Sequence, residues 1–250
     1  MKADDLLARI AVVLCRPSHP GNVGAAARAM KTMGLRRLIL VAPRSFPDPE
    51  ADARATGAVD LLREARVFAS LSEALAGTVH AVALTARARD LGPAPQGVRD
   101  AASRILAIAE EGEVALVFGN ETNGLSNAEA LCCQESVTIP ANPEFSSLNL
   151  GAAVQILTYE LRMAAWAGRP PESREATPFV SPPATLAEIE GFYAHLERVM
   201  TDTGFYNPEH PGRLLPKLRR LFGRAGLEKD EINILRVILA ATQHGTGHGR

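Results

Sequence analysis

The polar residues that could take part in chemistry lie in three short segments of the 250-residue chain. The first, "GNVGAAAR" (21–28), opens an alanine-rich helix with Gly21 and Gly24 and places Arg28 inside it. Glycines allow another backbone to approach closely, and the amides of a helix N-terminus attract anions. The guanidinium of Arg28 offers donors in a fixed fork that matches a phosphate. The segment therefore predicts a surface that faces phosphate, with Asn22 as a further candidate; an arginine on the surface or between helices is the alternative.

The second segment, "GNETNGLS" (119–126), follows an apolar run directly. Its carboxylate, Glu121, stands among polar and glycine residues at the point where a buried strand is expected to end. Such residues often do no more than form a turn. A role for Glu121 in a site therefore competes with a capping or interface role, and we expect Ser126 or Asn127 to cap the next helix.

The third segment, "IPANPEFSSLNL" (139–150), brings Ser146, Ser147 and Asn149 together before an apolar helix. Helix capping explains one of these side chains. Ser147 and Asn149 together provide the hydroxyl and amide groups that can orient a hydroxyl substrate. No His–carboxylate pair lies nearby in the sequence to complete a hydrolytic triad, so Ser147 is not predicted to be a nucleophile.

Composition and motifs disfavour several other classes of protein. With 46% hydrophobic residues the chain can bury a full-sized core, and its net charge of −1 means that any nucleic-acid contact needs a local basic patch. The dinucleotide and P-loop fingerprints are missing. Cys15, Cys132 and Cys133 lack C-x-x-C spacing, which indicates neither zinc nor a disulfide framework and suits a reducing compartment. No apolar run approaches the ~18 residues of a membrane span, so we expect a cytoplasmic protein without a membrane partner or a metal.

Apolar runs and helical segments alternate through the first two-thirds of the chain. The predicted strands cover 10–15, 37–42, 79–85, 113–119 and 136–140, and the predicted helices cover 22–33, about 53–64, 98–110, 127–134 and 148–166. Apolar runs of this length are typical of strands that are covered on both faces. The order predicts an α/β fold with a mostly parallel sheet, helices on both faces, and ligands at the carboxyl ends of the strands.

A proline-rich linker is predicted to separate this domain, residues 1–168, from a helical extension. Five of the 17 prolines of the chain lie within 169–185, and proline at this density resists both helix and sheet. Apolar residues then recur at helical spacing, which predicts helices over 186–243. The polar end, 244–250, is predicted to be disordered.

The extension contains a basic segment, 213–224, with five basic residues and no acidic one. Its side chains form two predicted helical faces: Lys217, Arg220 and Arg224 on one, and Leu214, Leu218 and Leu221 on the other. The leucine face could dock on the protein while the basic face meets phosphate. A solvated amphipathic helix is the alternative.

Taken together, the three polar segments resemble the motifs of a family of RNA-modifying enzymes. The patterns are N-x-G-x-x-x-R (22–28), G-N-E-x-x-G-L-S (119–126), and I-P (139–140) followed by S-S-L-N-x-x-x-A (146–153). Their order and spacing are similar to those of the SpoU, or TrmH, branch of the SPOUT methyltransferases. The segments "LTARARD" (84–90) and 205–236 narrow the resemblance to the TrmJ-like enzymes, which methylate a ribose 2′-hydroxyl of tRNA.

This resemblance implies a fold, a cofactor and an assembly. The α/β domain is expected to end in a trefoil knot, a rare exception to unknotted topology. The knot is expected to bind S-adenosyl-L-methionine, and a homodimer is expected to complete each site with residues of the partner. The positions that match the cofactor contacts of the family are Leu84, Thr85, Ala86, Gly119, Ile139, Ser146, Ser147 and Leu148.

The resemblance also implies roles for single residues. Arg28 matches the catalytic arginine of the family, and Ser147 and Asn149 match residues that orient the hydroxyl. A guanidinium with a pKa above about 12 cannot readily accept a proton. We therefore favour a role for Arg28 in binding the phosphate next to the target ribose and in stabilising the developing alkoxide over a role as general base.

The expected substrate is nucleotide 32 of the tRNA anticodon loop, with cytidine, uridine or both accepted. Lys217, Arg220 and Arg224 would grip the tRNA. The chain has Asn120 where TrmJ-like enzymes often carry arginine, which affects the predicted tRNA position more than the predicted reaction. The alternatives are a 2′-O-methyltransferase for another tRNA or rRNA site, or a catalytically silent RNA-binding dimer.

Overall fold

A parallel β-sheet lies at the centre of the computed structural model, which describes residues 3–86, 95–166 and 181–245. Its strands are β1 (Ile10–Cys15), β2 (Arg37–Val41), β3 (Arg66–Phe68), β4 (His80–Leu84), β5 (Gln96–Gly97), β6 (Val114–Phe118) and β7 (Glu135–Thr138). Over the described ranges the sheet has seven strands in the order β3-β2-β1-β6-β4-β7-β5, and all the paired strands are parallel. The predicted α/β fold is confirmed, while the trefoil knot stays a prediction of the resemblance.

Helices follow most of the strands. They are α1 (Ala3–Leu7), α2 (Pro20–Met33), α3 (Pro49–Ala55), α4 (Val59–Arg63), α5 (Leu71–Leu75), α6 (Val98–Glu111), α7 (Asn127–Leu131), α8 (Leu150–Trp166), α9 (Leu186–Asp202), α10 (Leu214–Gly223) and α11 (Lys229–Gly245), with a 3₁₀ turn at Thr56–Ala58. Helices α9 to α11 form the extension.

One face of the sheet packs against α2, α6 and α8. Alternate residues of a strand point to opposite faces, so Val12 and Leu14 of β1 point to this side while their neighbours point to the other. The core on this side joins strand and helix residues, among them Val12, Leu14, Leu116 and Phe118 with Met30, Ile105 and Leu157. All six residues of β1 are buried, because the strand lies between β2 and β6 and has both faces covered.

The other face of the sheet is covered by α5 and by the first helix of the extension, α9. Leu186, Ile189 and Phe192 join the cluster that contains Val13 and Val117 of the sheet. Two sets of hydrogen bonds fix the N-terminus of α9. Thr185 and Glu188 form a capping box, and the Leu186 amide donates to the Thr78 carbonyl at 2.9 Å. The extension therefore contributes to the core of the α/β domain and is not a separate appendage.

Helix α2 packs very closely against its neighbours. A β-carbon added at Gly24 would lie 2.1 Å from the carbonyl oxygen of Ala51 in α3. A β-carbon added at Gly151 of α8 would lie 2.8 Å from the Cβ of Ala25. The glycines and alanines of the first polar segment thus allow α3 and α8 to approach α2.

Several boundaries differ from the predicted ones for local reasons. The predicted helix over 53–64 is broken at Thr56, whose φ of 52° does not continue a right-handed helix. Helix α8 begins at Leu150 and not at 148, because the Asn149 side chain caps it by accepting from the Gly151 amide at 2.9 Å. Helix α2 begins two residues earlier than predicted, at Pro20, which suits a first helical turn. The predicted helix over 127–134 ends at Leu131.

The sequence patterns did not predict β3, β5, α1 or α5. Strand β3 is three residues long and lies at an exposed edge, so it has no continuous apolar run. The predicted disordered tail, 244–250, overlaps α11, which continues through Gly245. Residues 246–250, 169–180 of the predicted linker and 87–90 of the "LTARARD" segment lie outside the described residues. The last linker residues are packed: the Ser181 amide donates to the Glu228 carboxylate at 2.7 Å.

None of the described helices combines the length and the apolar character needed to cross a lipid bilayer.

The contact at Gly24 generates a test of the α2–α3 packing. In a helix without close neighbours, Gly→Ala would stabilise by up to about 1 kcal/mol. Here we expect Gly24→Ala to lower the free energy of unfolding by about 1–3 kcal/mol, because the added methyl group forces α3 away. Urea unfolding measures the difference. Gly57→Ala is the control, since a β-carbon there meets no atom within 4 Å; equal effects at both positions would contradict the packing argument.

Candidate functional site

A cleft of about 320 Å³ opens at the carboxyl ends of β4, β6 and β7. Its walls come from the ends of these strands and from the loop that precedes α8. The lining residues include all eight positions predicted for cofactor contact: Leu84, Thr85, Ala86, Gly119, Ile139, Ser146, Ser147 and Leu148. The cleft therefore lies at the sheet edge where the sequence predicts a ligand site.

A tight turn after β6 forms one wall of the cleft. The side-chain oxygen of Asn120 accepts from the Asn123 amide at 2.7 Å, and the backbone carbonyl of Asn120 accepts from the Gly124 amide at 3.0 Å. Gly124 has a φ of 68°, which favours glycine. A β-carbon at Gly119 would lie 2.0 Å from the carbonyl carbon of Gly124, so the chain passes itself here without room for a side chain. The glycines of the second segment fix the shape of this wall.

The three polar segments are joined by one chain of side-chain hydrogen bonds. The Asn22 amide nitrogen donates to Glu121 Oε1 at 2.9 Å, and the Asn149 amide nitrogen donates to Asn22 Oδ1 at 2.9 Å. Each residue belongs to a different segment, and positions 22 and 149 are 127 residues apart. The structure thus brings together three of the predicted site residues, Asn22, Glu121 and Asn149. Glu121 lines the cleft, and Asn149 lies in the chain between the lining residues Leu148 and Leu150.

Glu121 also binds the loop that follows β1. Its carboxylate accepts from the Ser18 hydroxyl at 2.6 Å, the Ser18 amide at 3.0 Å and the His19 amide at 3.3 Å. Burial alone would raise the pKa of Glu121, but the hydrogen bonds from Ser18 and Asn22 outweigh it and lower this pKa to about 2. Glu121 is therefore a carboxylate at neutral pH, with a structural role in joining the segments.

A second contact ties the same loop to α7. Arg16, at the end of β1, donates to both carboxylate oxygens of Glu129, at 3.0 and 2.8 Å. Ser126 and Glu129 form the capping box of α7, which confirms Ser126 as its N-cap. Arg16 has a φ of 51°, a strained value for a residue with a side chain, and the two-pronged ion pair helps to hold it.

The three candidate residues of the third segment have different positions: one caps α8 and two line the cleft. Asn149 caps α8 through its oxygen and binds Asn22 through its nitrogen. Ser146 and Ser147 precede the helix and line the cleft. The structure therefore leaves the Ser147 hydroxyl beside the cleft, next to an asparagine whose orientation is set by its neighbours.

Arg28 is not among the residues that line the cleft. It lies on α2 six residues beyond Asn22, which corresponds to about 9 Å along the helix axis. Its side chain is exposed, and no ion pair or hydrogen bond involves it within the described residues. The guanidinium is thus available to an outside anion, but a single chain does not bring it into the cleft.

Helix α10 presents the predicted basic residues to solvent. Lys217, Arg220 and Arg224 are exposed, and none of them forms an ion pair within the described part of the chain. The predicted leucine face is only partly correct: Leu221 is 51% exposed, whereas Phe222 packs edge-on against Phe192 of α9.

Another basic residue of α10 serves packing. Arg219 binds the Glu190 carboxylate of α9 with both terminal nitrogens, one of them at 2.6 Å, and lies over the ring of Tyr193. The hydrogen bond to Glu190 raises the pKa of Arg219. This residue anchors the helix and is not part of its free basic surface.

Sequence reasoning missed Ser18, Arg16 and Glu129 as residues that support the site. The position of Ser18, a hydroxyl residue shortly before α2, is a weak signal for a role in the site. Its partner Glu121 lies 103 residues away, and no local pattern reports such a contact. The Arg16–Glu129 pair spans 113 residues for the same reason.

The hydrogen bonds of Glu121 predict a pH-dependent contribution to stability. We expect Glu121→Gln to lower the free energy of unfolding at pH 7 by about 1–2 kcal/mol, a value reduced by its partial exposure. The folded pKa is lowered from the ordinary 4.5 to about 2. The stabilisation is therefore complete above about pH 4.5 and is lost as the pH falls towards 2.

Urea unfolding of wild type and variant at pH 7 and about pH 3 measures this difference. The difference in the free energy of unfolding between the two proteins is expected to be smaller at the lower pH. Glu144→Gln is the control, because this exposed carboxylate accepts no hydrogen bond from the described residues. If the difference in the free energy of unfolding between wild type and Glu121→Gln is the same at both pH values, the ionised Glu121 is not the source of the stabilisation.

Comparison with known proteins assigns both parts of the chain. Residues 9–159 match the SpoU rRNA Methylase family, and residues 187–249 match the C-terminal domain of the tRNA methyltransferase TrmJ. A protein of Pseudomonas aeruginosa strain UCBPP-PA14, named tRNA (cytidine/uridine/adenosine-2′-O-)-methyltransferase TrmJ, is 51% identical over 95% of this chain and 95% of its own length. The sheet and the cleft lie within the first matched range, and helices α9 to α11 lie largely within the second.

Solved structures show the same relationship. The crystal structure of TrmJ from Z. mobilis ZM4 superposes with a TM-score of 0.81 at 35% identity, over 93% of this chain and 98% of that one. The SpoU methyltransferase AviRb from Streptomyces viridochromogenes, in complex with AdoMet, superposes with a TM-score of 0.52 at 27% identity, over 64% of this chain and 58% of that one. From its three motifs, its parallel sheet and its 51% identity to a curated relative, the chain belongs to the SpoU methylase family, within its TrmJ group.

Proposed function

We propose that this protein transfers a methyl group from S-adenosyl-L-methionine to a ribose 2′-hydroxyl of tRNA. The observation that carries the proposal is the cleft at the sheet edge, where the hydrogen-bond chain Glu121–Asn22–Asn149 joins the three motifs. The activity of relatives that match this chain over nearly its whole length supports the same conclusion.

The cleft suits the proposed cofactor in size and in lining. Its volume of about 320 Å³ is within the range of small-ligand sites, and it combines the apolar side chains Leu84 and Ile139 with polar backbone and hydroxyl groups. The ionised Glu121 in its wall favours a ligand that carries positive charge. When bound, S-adenosyl-L-methionine supplies an electrophilic methyl group on a sulfonium, and the complex of the related AviRb with AdoMet supports this choice.

The residues beside the cleft act on the hydroxyl. A ribose 2′-hydroxyl is a weak nucleophile at neutral pH, so the site must orient it and assist the loss of its proton. The Asn149 oxygen is occupied at the helix N-terminus and one of its N–H groups binds Asn22, which leaves the second N–H to hold the hydroxyl oxygen. Ser147 provides a hydroxyl that can both donate and accept.

Arg28 completes the site by binding phosphate. Its free guanidinium can clamp the phosphate next to the target ribose and stabilise negative charge that develops on the oxygen. Because it lies outside the cleft of its own chain, we propose a homodimer in which each chain supplies Arg28 to the site of its partner. Helix α8 exposes Tyr159, Met163 and Trp166 at i, i+4 and i+7, an apolar stripe that a second copy would cover.

The extension provides a second contact with tRNA. Helix α10 packs against α7 and α9, and α7 directly follows the turn that forms the cleft wall. Its exposed Lys217, Arg220 and Arg224 can therefore bind the RNA backbone on the side of the molecule that carries the second motif. The family resemblance supports nucleotide 32 as the target and, with tRNA as substrate, a cytoplasmic location.

The function is tested with labelled S-adenosyl-L-methionine and tRNA, followed by mass-spectrometric mapping of the methylated nucleotide. We expect Arg28→Ala to lower kcat/KM about 10²- to 10³-fold while the affinity for S-adenosyl-L-methionine is unchanged, because the proposed partner of Arg28 is the RNA phosphate and not the cofactor. Arg28→Lys keeps the positive charge but loses the forked guanidinium, so its kcat/KM should stay close to that of Arg28→Ala. Near-normal turnover by Arg28→Lys would overturn the clamp, and a wild-type protein without transfer would overturn the function.

A mixing experiment is the control for the shared site. Arg28→Ala protein is combined with Asn149→Ser protein, whose serine still caps α8. If the two residues act in one site across the dimer, mixed dimers contain one intact site and activity recovers to about a quarter of wild type. A mixture that stays inactive would indicate that both residues act from the same chain.

The basic surface of α10 is tested by replacing Lys217, Arg220 and Arg224 with alanine together. We expect tRNA affinity to fall at least about 10-fold and the salt dependence of binding to decrease by about two to three phosphate contacts. The control replaces Arg36 and Arg63, exposed residues at the amino end of β2 and on α4. Helix α4 packs through Leu61 and Leu62 on one face of the sheet, whereas Phe222 of α10 packs against the core on the other face. Equal losses in both proteins would argue against a specific role of α10.

A further inference from the structure

We propose that Phe145 stacks on a nucleobase of the bound RNA at the rim of the cleft and so helps to hold the target nucleotide for methyl transfer. The proposal deepens the function stated above and rests on it. It assigns a substrate-binding role to an aromatic side chain that the three motifs do not include.

The first observation is the exposure of Phe145. Its side chain is 78% exposed, the highest value among the large hydrophobic residues of the described chain. A single exposed apolar residue is ordinary on a protein surface, so exposure by itself indicates little. The position of this residue makes the difference.

Phe145 is held beside the cleft. It directly precedes Ser146 and Ser147, which line the cleft, and consecutive Cα atoms are about 3.8 Å apart. Its amide donates to the Asn142 carbonyl at 2.9 Å, and the Glu144 amide donates to the Asn142 side chain at 3.1 Å. The ring therefore projects from a hydrogen-bonded turn at the rim.

The cleft itself offers no other aromatic surface within the described residues. Phe118 is the aromatic residue in its lining, and this side chain is only 1% exposed. The polar side chains of the rim, among them Asn120, Thr122 and Asn123, can bind hydroxyl or phosphate groups but cannot replace base stacking. Phe145 is thus the side chain at the rim that can cover the face of a base.

The substrate requires such a surface. A ribose that enters the cleft brings its base to the rim, and bases of single-stranded RNA loops leave their own stack and bind aromatic side chains instead. Stacking tolerates any base, because each has a π face. Phe145 therefore strengthens RNA binding without selecting between cytidine and uridine.

The test compares Phe145→Ala, Phe145→Tyr and Phe145→Leu on stem-loop RNAs with cytidine or uridine at the methylated position. We expect Phe145→Ala to lower kcat/KM about 5- to 100-fold, by the same factor for both bases. Tyrosine should restore activity and leucine should not. The affinity for S-adenosyl-L-methionine, measured by calorimetry, should stay unchanged in all variants. Val67→Ala, at another exposed apolar position, is the control.

RNA affinity, measured by fluorescence anisotropy, gives a second readout that does not need methyl transfer. We expect it to fall in Phe145→Ala and to recover in Phe145→Tyr. Recovery by leucine, a parallel loss of cofactor affinity, or dissociation of a dimer would overturn the proposal in favour of a general apolar, cofactor or protein contact. If the wild-type protein transfers no methyl group, the proposed function fails, while the effect of Phe145 on RNA affinity still decides the stacking contact.

Discussion

The ionised carboxylate of Glu121 determines the direction of the hydrogen bonds on which the site depends. A carboxylate only accepts, so Asn22 must present its amide nitrogen to Glu121 and its oxygen to Asn149. Asn149 must then present its nitrogen to Asn22 and its oxygen to the first amides of α8. One charge thus orients two side-chain amides in sequence. The oriented end of this chain is Asn149, the residue that we propose holds the substrate hydroxyl.

The sheet provides the frame that makes this chain possible. In a parallel sheet the loops after β1, β6 and β7 leave from the same edge, so residues that are more than 100 positions apart can meet. The close approach of α2 to α3 and α8, through Gly24 and Ala25, holds Asn22 within reach of Asn149. Small residues in the helix and polar residues in the loops therefore serve the same geometry.

Local sequence patterns predicted the elements that depend on the residues of one continuous segment. The predicted strands agree with β1, β2, β4, β6 and β7 to within two residues. Strands β1 and β6 are buried along their whole length, so their apolar runs are continuous, whereas three of the four residues of β7 are polar. The eight positions predicted for cofactor contact line one cleft because they match motifs at strand ends.

Contacts between distant segments could not be read from the sequence. Ser18 and Glu121 carry no mark of their pairing, and the docking side of α10 depends on Phe192, a residue of another helix. The distance of Arg28 from the cleft follows from the direction of α2, which composition does not encode. Short elements such as β3 and β5 have too few residues to show a period.

The covering of the sheet by α9 also bears on how such a protein can evolve. Phe192 and Ile189 are buried against strands whose side chains on this face are mainly alanine and valine, which leave room for a helix but cannot face water as a large patch. A relative without the extension would need polar residues on this face of the sheet, or another element to cover it. The α/β domain and its helical extension are therefore expected to have changed together, as one inherited unit.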